Sequence, residues 1–158
     1  MPRRTGPTKV LLEALGELVI ASSSLEESLK DAIWKLGGAA TDDAQYRVAS
    51  MPLGTLVDTF QKLYVAEPAG VAPVDKFCVG LKDLARDRSD LIHALWVFES
   101  GGRKAYRHRT KKTGAGLVLN TEAVTPVSVR ALVGRFQNAD DKLWEIIVPL
   151  FDRPEPSA

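Results

Sequence analysis

The chain has 158 residues, of which 45% are hydrophobic and 26% charged, so the composition excludes a largely disordered protein and predicts one soluble domain over residues 1–158. The 21 Lys and Arg residues nearly balance the 20 Asp and Glu residues, which excludes a general electrostatic attraction to nucleic acid or to acidic ligands. A single cysteine excludes an intrachain disulfide, and no apolar run approaches the roughly 18 residues of a membrane span, so we expect a cytoplasmic protein with no membrane association.

A long amphipathic helix is predicted from Thr8 to Leu36. Gly37 and Gly38 end it, because glycine tolerates the left-handed conformation that terminates many helices. A face this long and apolar predicts several packing partners, in a bundle or across a dimer. The residues of this apolar face advance by steps of four and three: Leu11, Leu15, Leu18, Ser22, Leu25, Leu29, Ala32 and Leu36. Three further residues widen the face: Val19, Ile33 and Trp34.

Two further helices are predicted in the middle part of the chain. Residues 41–54 (TDDAQYRVASMPLG) are rich in turn formers and predict a loop, with or without a short helical turn. A second, shorter helix begins near Leu53, where apolar residues return at helical spacing. Pro73 is predicted as the first residue of a third helix that runs to Leu95. The apolar stripe of this helix consists of Phe77, Leu81, Leu84, Leu91 and Leu95, and Arg88 interrupts it.

Residues 96–120 change to a β pattern, with glycine-containing turns between short alternating runs. They predict a small antiparallel hairpin or a three-stranded meander. Thr125 is then expected to cap a last helix that begins with Pro126 and ends near Phe151. The expected fold is therefore mainly α: a four-helix bundle with a small antiparallel β-hairpin insertion between the third and fourth long helices. Residues 1–7 and 152–158 are expected to be frayed tails.

The stretch ARDRSDLIHALW, residues 85–96, places charged side chains on an otherwise apolar helix. Arg88 occupies a position of the apolar stripe, where a guanidinium is costly unless it is paired or faces a wet cleft. One interpretation pairs Arg88 with a carboxylate of the first helix, such as Glu26 or Asp31, and leaves His93 bonded to a backbone carbonyl. The other interpretation is a functional site that contains both Arg88 and His93.

The functional interpretation has two registers. Arg88 and His93 lie about 140° apart around an ideal helix, so in the first register the long arginine reaches round to a cleft that the histidine also enters. In the second register Arg86, Asp90 and His93 form one polar ridge, with the carboxylate one turn before the imidazole. A carboxylate one turn before an imidazole can hold its tautomer and raise its basicity, so the second register suits acid–base chemistry near neutral pH.

The segment RSDLIH, Arg88 to His93, resembles the motif of the HEPN superfamily, in which four to six residues separate an arginine from a histidine. In that family a polar residue commonly follows the arginine and an aliphatic pair commonly precedes the histidine. Ser89 and Leu91–Ile92 match this form, with serine where asparagine often stands. The longer segment RDRSDLIH, from Arg86, also fits the spacing and has an aspartate after its arginine. The order of helices and β insertion is similar to the family as well.

The resemblance implies a homodimer in which two motifs meet across a cleft and cleave RNA without a metal or another cofactor. His93 would transfer protons, Arg88 or Arg86 would stabilise the phosphate, and Asp90 or Ser89 would orient them. Many relatives with this motif are toxins or defence factors, for which an antitoxin or another protein is the expected partner. Others are inactive and only bind a protein or nucleic acid, so a dimeric interaction module is the alternative function.

The predicted hairpin is strongly basic: GGRKAYRHRTKKTGAG contains no acidic residue. Cations can contact phosphates, and an interleaved tyrosine offers a stacking surface for an unpaired base, so this strand predicts RNA contact. The alternative is an edge strand whose charges only prevent aggregation. In a strand, Arg103 would share a side with two of the other cations and Lys104 with the aromatic residues. The candidate RNA-binding residues are Arg103, Lys104, Tyr106, Arg107, His108 and Arg109.

Overall fold

The computed structural model describes residues 7–37, 42–68, 73–98, 105–114 and 116–151. In these ranges the helices are α1 (Lys9–Gly37), α2 (Asp42–Ala49), α3 (Leu53–Ala66), α4 (Asp75–Ile92) and α5 (Pro126–Phe151). The strands are β1 (Leu95–Phe98), β2 (Ala105–Thr113) and β3 (Gly116–Val124). The prediction of a mainly helical fold with a small antiparallel sheet is confirmed. The predicted frayed tails, residues 1–7 and 152–158, lie outside the described residues except for Pro7.

The long helix α1 packs chiefly against α5 and α3. Its buried face largely matches the predicted stripe, including Ser22, whose hydroxyl donates a hydrogen bond of 3.1 Å to the carbonyl of Val19. Val19 itself is 48% exposed, so the prediction that it belongs to the apolar face was wrong. The buried residues of α1 are Leu11, Ala14, Leu18, Ala21, Ser22, Leu25, Ser28, Leu29, Ala32 and Ile33.

The short helix α2 occupies the segment that the sequence predicts as a loop, with or without a short helical turn. Polar residues dominate its eight positions, but the segment contains neither glycine nor proline, so nothing in it blocks helical backbone geometry. Val48 is buried in the common core and supplies the tertiary contact that a polar segment needs to remain helical. Pro52 then precedes α3 in an extended conformation, with φ −62° and ψ 152°.

The motif-bearing helix α4 is shorter than predicted at both ends. It ends at Ile92 rather than Leu95, because Leu95 already pairs with His108 in the sheet. The indole Nε1 of Trp96 donates a hydrogen bond of 3.1 Å to the carbonyl of Leu91, one of the carbonyls that a helix end leaves without a backbone partner. The early end of α4 therefore places His93 at the helix terminus instead of within its last turn.

The sheet has the order β1-β2-β3 and is antiparallel throughout, so the three-stranded alternative is the one that forms. The strands β2 and β3 are longer than expected and meet at a tight turn, where Gly116 takes a φ of 120° that L side chains rarely adopt. Ala105 and Val124, opposite each other, are buried at the base of this pair. Every other residue of β3 is exposed, so β2 and β3 extend away from the helical core.

The last helix, α5, begins as predicted from the sequence. The backbone N–H of Ser128 donates to Thr125 Oγ1 (3.1 Å), and the N–H of Thr125 donates to Ser128 Oγ (3.0 Å), which makes a reciprocal cap. Phe136, Leu143 and Ile147 are fully buried in the same core cluster as the helices and the sheet base. None of the helices in the described ranges is long and apolar enough to cross a membrane.

Candidate functional site

Arg88 lies on α4 between the buried residues Leu84 and Leu91 and forms an ion pair with α1. Its Nη1 is 3.1 Å from Glu26 Oε1, and the two side chains are only 28% and 21% exposed. A half-buried guanidinium requires such a partner, because removing its charge from water is otherwise unfavourable. Of the two carboxylates that the sequence offered, Glu26 makes the contact, whereas Asp31 is exposed.

His93 is the C-cap residue of α4, and its backbone N–H donates a hydrogen bond of 3.0 Å to the carbonyl of Ser89. Its side chain is exposed. The cap geometry, with φ −95° and ψ 5°, turns the chain out of the helix toward β1. The imidazole is therefore accessible to a ligand at the rim of the bundle. The side chain of Arg88, five residues earlier, is instead half-buried and paired with Glu26.

One pocket of about 510 Å³ contains both members of the motif. It lies where α4 faces α1 and the N-terminal end of α3. The α4 residues in its wall are spaced by three and four positions, which places them on one helix face. Arg88 Nε is buried there and has no hydrogen-bond partner among the described residues. The pocket is lined by Glu26, Pro52, Leu53, Gly54, Ala85, Arg88, Ser89, Ile92 and His93.

The residues that line the pocket distinguish between the two registers proposed from the sequence. Arg88, Ser89 and His93 all line it. Arg86 lies on another face of α4, where it is 65% exposed and its Nη2 is 3.1 Å from Asp83 Oδ1. Asp90 is half-buried and is not part of the pocket wall. The shared cleft of the first register is therefore present, and the polar ridge of Arg86, Asp90 and His93 does not line it.

The basic hairpin is partly neutralised by its own sheet. Arg107 pairs with Glu122 directly across the β2–β3 ladder, donating through both Nε (2.7 Å) and Nη2. His108 Nδ1 lies 2.7 Å from Thr121 Oγ1, also across the ladder. Tyr106 is half-buried on β2. Arg103 and Lys104 lie outside the described residues, and for Arg109 only the backbone within β2 is described.

The sheet register relates the basic strand to the end of α4 through β1. Leu95, the first residue of β1, pairs with His108, so the part of β2 beyond His108 extends past the start of β1. That is the side on which the chain passes from α4 into β1. Arg109 belongs to this part of β2. The register therefore places the segment beyond His108 on the same side of β1 as the end of α4.

A second pocket, of about 310 Å³, lies on the other side of α4 and was not foreseen from the sequence. Arg107 and Glu122 of the sheet line it together with Asp87 of α4 and Arg135 of α5. Arg135 Nη1 is 2.7 Å from Asp87 Oδ2, so both of its arginines already have carboxylate partners. Arg107 thus belongs to this pocket and not to that of Arg88.

Other catalytic chemistries find little support in the described residues. No three His, Cys, Asp or Glu side chains there are grouped so that they could hold a metal ion. Burial raises the pKa of the Cys78 thiol to about 11, which keeps it protonated and unreactive as a nucleophile. Among the described residues, Arg88 and His93 share one pocket, which is the candidate site.

Comparison with protein-family models, with curated proteins and with solved structures finds no match for this chain.

Proposed function

We propose that the protein is a metal-independent endoribonuclease of HEPN type, acting at the pocket that Arg88 and His93 share. The observation that supports the proposal is this shared pocket, because an arginine and a histidine separated by four residues acquire a joint chemical role only when one ligand can reach both. Ser89, in the same wall, is the residue that would orient the substrate or the imidazole.

In the proposed reaction the ribose 2′-hydroxyl attacks the adjacent phosphate and the 5′-oxygen leaves, giving a 2′,3′-cyclic phosphate and a 5′-hydroxyl end. His93 takes part in proton transfer, which contributes about 10²- to 10⁴-fold in rate. Arg88 stabilises the negative charge that develops on the phosphorane. Neither role requires a metal ion. The basic end of β2 would contact the phosphates of the RNA strand that leaves the pocket.

The resemblance to the HEPN superfamily adds a homodimer to this proposal, with two pockets facing a common cleft. It also suggests a toxin or defence role in the cytoplasm, with an antitoxin or another protein as a regulatory partner. The exposed position of His93, at the rim of the bundle, leaves the imidazole accessible to a second protomer as well as to RNA.

Cleavage of labelled single-stranded RNA in the presence of EDTA tests the proposal. We expect His93→Ala and Arg88→Ala each to lower the rate by about 100-fold or more. Arg86→Ala is the matched control, because Arg86 is exposed and lies outside the pocket, and we expect it to cleave at the wild-type rate. Equal cleavage by wild type and His93→Ala, or no cleavage by the wild type over a range of RNAs, would refute the nuclease.

A catalytically inactive dimeric interaction module is the second candidate, and the Arg88–Glu26 ion pair favours it. A guanidinium that is already neutralised by a carboxylate can serve packing alone. This candidate predicts a dimer in light scattering and binding of a protein or nucleic acid, without any cleavage. It also predicts that His93→Ala changes neither property.

A further inference from the structure

The pocket contains a third ionisable side chain in addition to Arg88 and His93. Glu26 projects from α1 into the same wall, with its side chain 21% exposed. The remaining described wall residues are Pro52, Leu53, Gly54, Ala85, Ser89 and Ile92, none of which carries a charge. Glu26, Arg88 and His93 are thus the charged and titratable groups that α1, α3 and α4 present to this pocket in the part of the chain that the structure describes.

RNA transesterification requires two proton transfers at opposite ends of the reaction. One group must accept the proton of the attacking 2′-hydroxyl, and another must donate a proton to the departing 5′-oxygen. An ionised carboxylate only accepts hydrogen bonds, whereas a protonated imidazole donates from both of its nitrogens. The carboxylate of Glu26 and the imidazole of His93 therefore meet the two requirements with separate side chains.

Arg88 contacts Glu26 and lines the same pocket as His93. A guanidinium has five N–H donors, and the contact with Glu26 is made through Nη1. The Nε–H has no partner among the described residues although it is buried, so a donor remains for a phosphate oxygen. A phosphate bound to Arg88 would consequently lie beside the Glu26 carboxylate, within the same pocket as His93.

We propose that Glu26 is the general base and His93 the general acid of the reaction, both supplied by one chain. Glu26 accepts the proton of the 2′-hydroxyl as the 2′-oxygen forms its bond to phosphorus. The bond between phosphorus and the 5′-oxygen then breaks, and His93 donates its proton to that oxygen. Arg88 holds the phosphate during both steps. The inference rests on the proposed ribonuclease function and adds that one protomer contains the complete acid–base pair.

The dependence of kcat on pH provides the first test. We expect a bell-shaped profile for the wild type, whose acid limb is lost in Glu26→Gln and whose alkaline limb is lost in His93→Ala. Glu26→Gln should lower kcat by about 100-fold, and Glu26→Asp should recover part of it because a carboxylate is retained. Glu27→Gln is the control, since Glu27 is an exposed neighbour that pairs with Lys30 and should leave kcat unchanged.

The glutamine variant also distinguishes catalysis from a positioning role. Its amide oxygen still accepts a hydrogen bond from Arg88, so a residue that only positions the arginine would keep both kcat and the acid limb. That result, with His93→Ala inactive, would overturn the role of Glu26 and leave the ribonuclease standing. If Glu26→Gln does not fold, Glu26→Asp decides: a reduced kcat with the acid limb moved to lower pH supports the base, because aspartate is the stronger acid, and an unmoved acid limb overturns it. An inactive wild type would overturn both proposals.

Mixing two inactive variants tests whether the acid and base come from one chain. If Glu26 and His93 act in the same protomer, every site in a mixture of Glu26→Gln and His93→Ala contains a defect, and the mixture stays inactive. If the pair is formed across two protomers, mixed dimers recombine an intact Glu26 with an intact His93. Recovery of cleavage on mixing would therefore overturn the single-chain site.

Discussion

The pocket that Arg88 and His93 share is the feature that selects one face of α4 as the candidate site. Sequence spacing left both Arg86 and Arg88 as candidates, because both fit the permitted distance to His93. Their surroundings differ: Arg88 is anchored beside a pocket, whereas Arg86 is exposed and pairs within its own helix. Exposed pairs of this kind contribute about 0–1 kcal/mol to stability, so Arg86 is the less constrained of the two side chains.

The thiol of Cys78 makes the folding stability depend on pH in the alkaline range. Burial raises its pKa from 9.0 to about 11, so the unfolded chain releases this proton at a lower pH than the folded protein does. The contribution is therefore fully present below about pH 9 and is lost as the pH rises toward 11. We expect the wild type to lose about 1 kcal/mol more stability than Cys78→Ala between pH 8 and pH 10.

Urea unfolding of both proteins at a series of pH values measures this difference. The alanine variant is the reference because it keeps the lysines and tyrosines that also titrate in this range. Parallel decreases in the free energy of unfolding for the two proteins would show that Cys78 does not account for the loss.

Among the elements, the C-terminal end of α4 determines where the histidine stands. An apolar period that continues to Leu95 predicts a helix to that residue, but the chain leaves the helix at His93. Leu95 and Trp96 instead begin β1, and the Trp96 indole donates a hydrogen bond to the carbonyl of Leu91. Pairing with β2, whose residues lie seven to thirteen positions further along the chain, outweighs the local helical preference there. In α2, the burial of Val48 supports a helix in a segment whose turn-rich composition predicts a loop with or without a short helical turn.

The start of α5 is an element boundary that local sequence does predict. Thr125 and Ser128 cap each other through two hydrogen bonds, which satisfy amide groups that otherwise have no partner at a helix start. We expect Thr125→Ala to lower the free energy of unfolding by about 1 kcal/mol. Chemical denaturation measures the change. Ser23→Ala, at an exposed position inside α1, is the control and should be neutral or slightly stabilising. Similar values for the two variants would argue against the cap.

At the scale of the whole molecule, one hydrophobic cluster joins the helices to the base of the sheet. Phe136 is fully buried within it. We expect Phe136→Ala to cost about 3–5 kcal/mol, a large share of the roughly 5–15 kcal/mol that stabilises a typical domain. Val127→Ala, also on α5 but 79% exposed, should change stability by no more than about 0.5 kcal/mol.

Unfolding followed by circular dichroism and by tryptophan fluorescence checks this prediction and that of a single domain together. Coincident transitions are expected if the helices and the sheet share one cooperative core. Separate transitions for the two probes would contradict the single domain, and a Phe136→Ala protein as stable as Val127→Ala would contradict the role of Phe136 in the core.

Local sequence accounts for much of this protein. The apolar periods predict α1, α3, α4 and α5, the glycine-containing turns predict the sheet, and Thr125 with Pro126 predicts where α5 begins, because each signal acts over only a few neighbouring residues. Tertiary contacts account for the remainder. It ends α4 at Ile92, makes α2 helical and brings Glu26 of α1 into the pocket of Arg88 and His93. Periodicity places a residue on a face of its own helix, but which other side chain meets that face depends on how the helices pack.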